Sequence, residues 1–233
     1  MCSFISITLS LHNKTRIIAF VSIAMKPITA QSSSIHSPVP PSIRVGRLRR
    51  AWIWLRRISY CRGFGVQSPS AYRFIRYVVN EHYPYYAYGD LVKAYPDLQG
   101  ADLKLMRFYL RLANYCQADT FVDAGGIMPD ILPDFLSAGC RKTRVTGTID
   151  SAAPLRLLRI GAAHDRDWVD HVLDRTGQDT VIIVEQIGLR PELRDVWLRL
   201  QADPRVSVSF DLYYCGVAFF DTARHKCNYV VNF

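Results

Sequence analysis

The sequence predicts an α/β chain: a doubly wound, mostly parallel sheet that ends in an antiparallel hairpin and is preceded by a helical arm. Three observations carry this reading. From Ala101 onward, short β-prone runs (TFV at Thr120–Val122, RVTGTID at Arg144–Asp150, VIIV at Val181–Val184) alternate with stretches of helical periodicity. The first run is followed by Asp123 and the adjacent glycines Gly125 and Gly126. The alternation stops at VSVSFDLYYCGVAFFD, where two runs meet at a turn with no helix between them.

Charge divides the 233 residues more sharply than hydropathy does. Residues 1–80 hold 12 of the 29 Lys and Arg and no Asp or Glu, which leaves 17 basic against 20 acidic residues from Glu81 onward. The formal net charge of +9 therefore belongs to an arm, and the body is slightly acidic. A nucleic-acid partner rests on that arm alone and is not expected. An apolar fraction of 49% is enough to fill the core of one α/β domain. The six cysteines, Cys2, Cys61, Cys116, Cys140, Cys215 and Cys227, form no CxxC pair and have no histidine at ligand spacing. They read as reduced thiols of a cytoplasmic protein, and no metal site is expected.

The organisation expected is a targeting-like or unstructured segment with a Ser/Pro linker over 1–43, a basic helical arm over 44–100, and an α/β domain over 101–233. In the first segment Ile17–Met25 is apolar but too short to span a bilayer, and Lys26 and Pro27 interrupt the outline of a signal peptide. Met25 is an alternative start. From Arg44 to Tyr60, Val45, Leu48, Trp52, Leu55 and Ile58 recur at spacings of three and four with arginines between them, as an amphipathic helix requires. Its apolar stripe either packs on the body or meets a membrane surface or protein partner. Ser68 and Pro69 form an N-cap and N1 pair for a second helix, Ala71–Val79. The tyrosines of Tyr83–Asp90 either stack on a ring or pack the arm onto the domain.

In the body, Leu103, Met106, Leu110 and Ala113 mark a helix leading into the first strand. DILPDFLSAG reads as a helix ending at Gly139. The second strand is expected to run to Asp150, 27 residues beyond Asp123, which suits one βαβ step. Strand, glycine turn, helix, strand and acid in that order make the nucleotide-binding half of a Rossmann-like sheet. Glycines admit a ligand close to the backbone, and a carboxylate at the next strand tip can accept from ribose hydroxyls. After VIIV come Glu185 and Gln186, a helix through Leu193, Val196, Trp197 and Leu200, two strands turning near Cys215 and Gly216, and a last strand in NYVVNF. His164 and His171 lie seven residues apart and could share one helix face.

Four segments resemble the class I S-adenosylmethionine-dependent methyltransferase family, in particular its bacterial O-methyltransferase-like branch. RGFGVQSPSAYRFI is similar to that branch's N-terminal motif, with Gln67 and Ser70 in place of its histidine and phenylalanine. FVDAGG resembles the cofactor loop, TID the strand ending in the ribose acid, and VSVSFDLYYCGVAFF the C-terminal hairpin. The resemblance implies a seven-stranded sheet with a reversed terminal strand and S-adenosylmethionine as cofactor, with Asp123, Gly125 and Gly126 at its methionine moiety and Asp150 on its ribose. It also implies methyl transfer to a small acceptor, with Glu185 as base.

Departures from the family pattern point to a degenerate or internally shortened member. Only 30 residues separate Asp150 from Val181, where two strand–helix units need on the order of 60. Asp-Gly-Asn-His occurs nowhere, and Glu185-Gln186-Ile187-Gly188 stands where relatives carry Asp-Asp-Ile-His. The alternative function is a catalytically inactive scaffold whose basic arm binds a membrane surface or a protein.

Overall fold

Seven strands form one sheet in the order β2-β1-β3-β4-β6-β5-β7. The computed structural model describes residues 43, 45–63, 66–81, 83–150 and 153–233. The targeting-like segment, most of the Ser/Pro linker and Phe64–Gly65 of the N-terminal motif lie outside the described residues. In chain order the elements are α1 (Arg47–Arg56), α2 (Pro69–Phe74), α3 (Ala87–Ala94), α4 (Gly100–Cys116), β1 (Thr120–Ala124), α5 (Leu132–Gly139), β2 (Arg144–Thr146), β3 (Leu155–Ile160), α6 (Arg166–Asp174), β4 (Thr176–Glu185), α7 (Pro191–Ala202), β5 (Val208–Asp211), β6 (Cys215–Phe219) and β7 (Cys227–Val230).

β1 to β4 are mutually parallel, and β6 runs antiparallel to both its neighbours, β4 and β5. The fold is Rossmann-like, with the expected antiparallel hairpin formed by β5 and β6. The reversed strand is β6 and not the terminal one, since β7 adds to the far edge parallel to β5. A strand the sequence reading did not single out, β3, takes the place between β1 and β4.

Period-2 alternation explains the layering. Phe121, Leu157, Val181 and Ile183 face a core shared with α2, α3, α4 and α5, while Val122, Leu158, Ile182 and Val184 face a second core built with α6 and α7. The segment read as an arm enters the first core through Ala71, Phe74, Ile75, Val78, Val79 and Leu91. Ser68 caps α2 by accepting from the Ala71 N–H at 3.4 Å, and a π turn, Ile75–Val79, prolongs it. Tyr85 and Tyr88 pack on this core, whereas Tyr83 and Tyr86 stay exposed.

Several boundaries differ from the sequence reading. β2 stops at Thr146: among the described residues it is a three-residue edge strand paired with β1 alone, and one neighbour does not sustain extended pairing as far as Asp150. The β5–β6 turn lies at Leu212–Tyr214, because Cys215 and Gly216 pair across to Glu185 and Val184. His164 precedes α6 and stacks on Trp168 with ring centroids 3.7 Å apart, so it does not share a helix face with His171. Among the described residues no helix is long and apolar enough to cross a membrane.

α4 and α5 meet at Gly139, where an added Cβ would collide with the Leu110 carbonyl. A backbone atom gives way less readily than a side chain. Gly139→Ala is expected to lower stability by about 1–3 kcal/mol through overpacking, measured as a shifted urea midpoint at unchanged slope.

Candidate functional site

β1 leads through α5 to β2 on one side, and β3 leads through α6 to β4 on the other, with the two helices on opposite faces of the sheet. The strand order therefore reverses between β1 and β3. In open α/β sheets the crevice beyond the C-terminal ends of two such strands is where ligands bind. Here the chain turns away from β1 through Gly125, whose φ of 74° lies in the left-handed region. An L side chain there would also meet Ala162 Cβ at 2.7 Å. α5 begins only at Leu132, after a turn that includes Met128 at φ 50°. The helix expected from Asp130 thus starts two residues late, because Pro133 takes one of its first positions.

Arg159 fills the space that Gly126 leaves. It lies on β3 directly across from Asp123 of β1, and it has no exposed side-chain surface. Its Nε donates to Asp123 Oδ1 at 2.8 Å, and its Nη2 pairs with Asp123 Oδ2. Its Nη1 donates to the Ile127 carbonyl at 2.8 Å and to Glu185 Oε1 at 3.3 Å. A Cβ on Gly126 would overlap the guanidinium.

The two carboxylates are held as tightly. Asp123 Oδ1 also accepts from the Gly126 N–H at 2.9 Å. Glu185, fully buried, accepts from the Tyr109 hydroxyl at 2.6 Å and the Ile127 N–H at 2.8 Å. Burial pushes the Glu185 carboxyl above the ordinary range although Arg159 opposes the shift. Burial disfavours the charge on Arg159, but Glu185, Tyr109 and Asp123 outweigh it and keep the guanidinium protonated. The Tyr109 ring lies under this cation, its centroid 5.4 Å from Arg159 Cζ.

No family model matches the chain, and no curated protein matches it.

The structure brings Asp123, Gly126 and Glu185 together around Arg159, with Gly125 next in the turn and abutting Ala162. Asp150 is placed differently: it is exposed on the loop after β2, where its carbonyl accepts from Arg175 Nη2 at 2.9 Å. The network's central residue, Arg159, and its hydroxyl donor, Tyr109, were not read from the sequence. The available signal was an arginine inside the apolar run LRLLRI, a place where a charge needs partners. Among the described residues no group of three or more His, Cys, Asp or Glu could hold a metal. Chemically the arrangement is closed, since both Glu185 oxygens are engaged and neither reaches solvent.

Arg159→Leu leaves the buried Glu185 and the partly buried Asp123 without a counter-charge and is expected to cost about 3–5 kcal/mol at pH 7. Glu185 is raised in the folded state, so its contribution is full below the unfolded value and is lost as pH rises through the folded one. Losing Arg159 widens that gap. The deficit of the variant should accordingly narrow as pH falls toward about 4, a trend read from urea midpoints taken across the pH range.

Proposed function

We propose that this chain is a catalytically silent Rossmann-like scaffold that docks on an anionic membrane surface through α1. The observation that carries the reading is the exposure of the helix's apolar stripe. Leu48, Trp52 and Leu55, at positions i, i+4 and i+7, are 88%, 59% and 54% exposed, and Trp54 and Ile58 beyond them are about half exposed. Arg47, Arg49 and Arg56 are exposed on the same helix.

The opposite side of α1 is fastened to the body. Ile53 is buried, and Asn232 Nδ2 donates to the Trp54 carbonyl at 3.2 Å. At the C-cap, Arg57 Nη2 donates to the Asp211 carbonyl at 2.6 Å, to Asp211 Oδ1 at 3.0 Å and to the Val231 carbonyl at 3.0 Å. A helix held on one side with Leu48, Trp52 and Leu55 bare on the other suits an interfacial position, where the apolar face enters the acyl boundary and the arginines meet lipid phosphates. Each basic residue near such a surface adds about 1 kcal/mol.

Methyl transfer, the function that the family resemblance implies, would need S-adenosylmethionine in the crevice that Arg159 fills. That filling favours the silent scaffold. In this reading Asp123, Gly125, Gly126 and Glu185 form a structural plug, and α1 is the working surface.

Two measurements on the full chain test the proposal. Co-sedimentation should show binding to phosphatidylcholine vesicles containing phosphatidylserine and little binding to phosphatidylcholine alone. Leu48→Ser with Leu55→Ser should weaken it at least tenfold while the urea midpoint stays put, because exposed substitutions change stability by about 0.5 kcal/mol or less. Undiminished binding by that variant, or none by the wild type, overturns the reading. Calorimetric titration with S-adenosylhomocysteine should give no heat of binding, and micromolar affinity would restore the methyltransferase.

A further inference from the structure

Beyond the C-terminal end of β4 the chain turns through Gln186, at φ 54°, and enters α7 at Pro191. A cavity of about 490 Å³ lies at this turn. Its walls include Arg57, Arg194, Asp211, Tyr213 and the turn residues from Ile187 to Pro191, Arg190 among them. Three guanidinium groups thus face one carboxylate.

The bonds already made leave donors over. Asp211, nearly buried, divides its carboxylate: Oδ1 accepts from Arg57 at 3.0 Å and from the Tyr213 N–H at 3.0 Å, and Oδ2 accepts from Arg194 at 2.7 Å. Arg194 commits only Nη1 in this way. Arg57 makes its three bonds through Nη2, and its Nε is buried without a hydrogen-bond partner among the described residues. Arg190 engages Glu192 Oε1 through Nη2 at 2.6 Å and Nε at 2.7 Å, and the donor it keeps in hand is Nη1, which lies 3.5 Å from the Gly161 carbonyl, too far for more than a weak bond. Counting Glu192 with Asp211, the cluster keeps one net positive charge. The N-terminus of α7 adds to it, because the N-cap residue is Arg190 and supplies no capping acceptor.

We infer that this cavity binds a phosphate group, with Arg190 and Arg194 as its ligating side chains and Arg57 as the cationic wall behind them. Phosphate suits the site because guanidinium forks match its oxygens in pairs, and a doubly charged oxyanion answers both the cationic excess and the helix terminus. The volume admits an ester as well as the free ion. The phosphate comes either from a soluble phosphomonoester or from a lipid headgroup, and the chemistry of recognition is the same for both. The site does not depend on the apolar stripe of α1.

Calorimetry of the full chain with inorganic phosphate tests the site. Affinity should fall at least tenfold in Arg190→Gln, whose side chain is 39% exposed and makes, besides its pair with Glu192, only the weak contact to Gly161. It should also fall in Arg194→Lys, which keeps the charge but loses the fork. Urea midpoints for both variants confirm that they fold. Vesicles containing phosphatidic acid, compared with phosphatidylserine vesicles of equal surface charge, separate the sources. A preference for phosphatidic acid that Arg190→Gln abolishes assigns the phosphate to a lipid, whereas inorganic phosphate binding without that preference assigns it to a soluble ester. If the wild type binds neither, or if both variants bind as it does, the site is overturned. The Leu48→Ser, Leu55→Ser pair should keep its phosphate affinity, so failure of membrane docking and failure of this site give different results.

Discussion

A guanidinium with no path to water lies among the ends of β1, β3 and β4, and the interior around it is arranged to answer its charge. Asp123 comes from the strand on one side and Glu185 from the strand on the other, while Tyr109 reaches in from α4 to complete the Glu185 acceptors. Such a cluster adds little net stability over a well-packed apolar one, since desolvating three charged groups offsets most of their attraction. What it supplies is definition. The alignment of Asp123 with Arg159 fixes the register of β1 on β3, and a slip of one residue would point a charge into the opposite apolar core.

A second ion-pair cluster ties the N-terminal helix to the reversed hairpin. Arg57 ends α1 and Asp211 ends β5, so the bond between them joins the helix to the part of the sheet where chain direction changes. Because Arg194 of α7 shares the same carboxylate, three elements distant in sequence converge on one aspartate. The exposed stripe of α1 is therefore presented from a fixed base, and the orientation of that helix follows from the sheet beneath it.

Much of the fold was legible because local pattern and tertiary role agreed. VIIV reads as a buried strand, Ser68-Pro69 as the opening of a helix, and VSVSFDLYYCGVAFFD as two strands with a turn, although that turn lies at Leu212–Tyr214 and not at Cys215 and Gly216. β3 escaped notice because Arg156 and Arg159 interrupt its apolar run, and the compensation for Arg159 comes from residues that lie 36 positions before it and 26 after it. The end of β2 was misjudged for a related reason: RVTGTID is β-prone throughout, but as an edge strand it has one neighbour to pair with. The glycine turn was found where expected, and its occupant was not, since no local signal tells a glycine that admits a ligand from one that admits an arginine. Periodicity marks a helix over Arg44–Tyr60, of which the structure forms Arg47–Arg56, yet periodicity alone does not say which side faces the body.

Gly126 and Arg159 also constrain each other's history. With the guanidinium in place, a side chain at position 126 has nowhere to go; with a side chain at 126, the guanidinium cannot enter. Neither substitution is harmless alone, so a lineage that has reached this pairing is held in it by epistasis. The glycine at 126 is thus demanded by packing alone, and a residue demanded by packing carries the same outward mark as one demanded by a ligand.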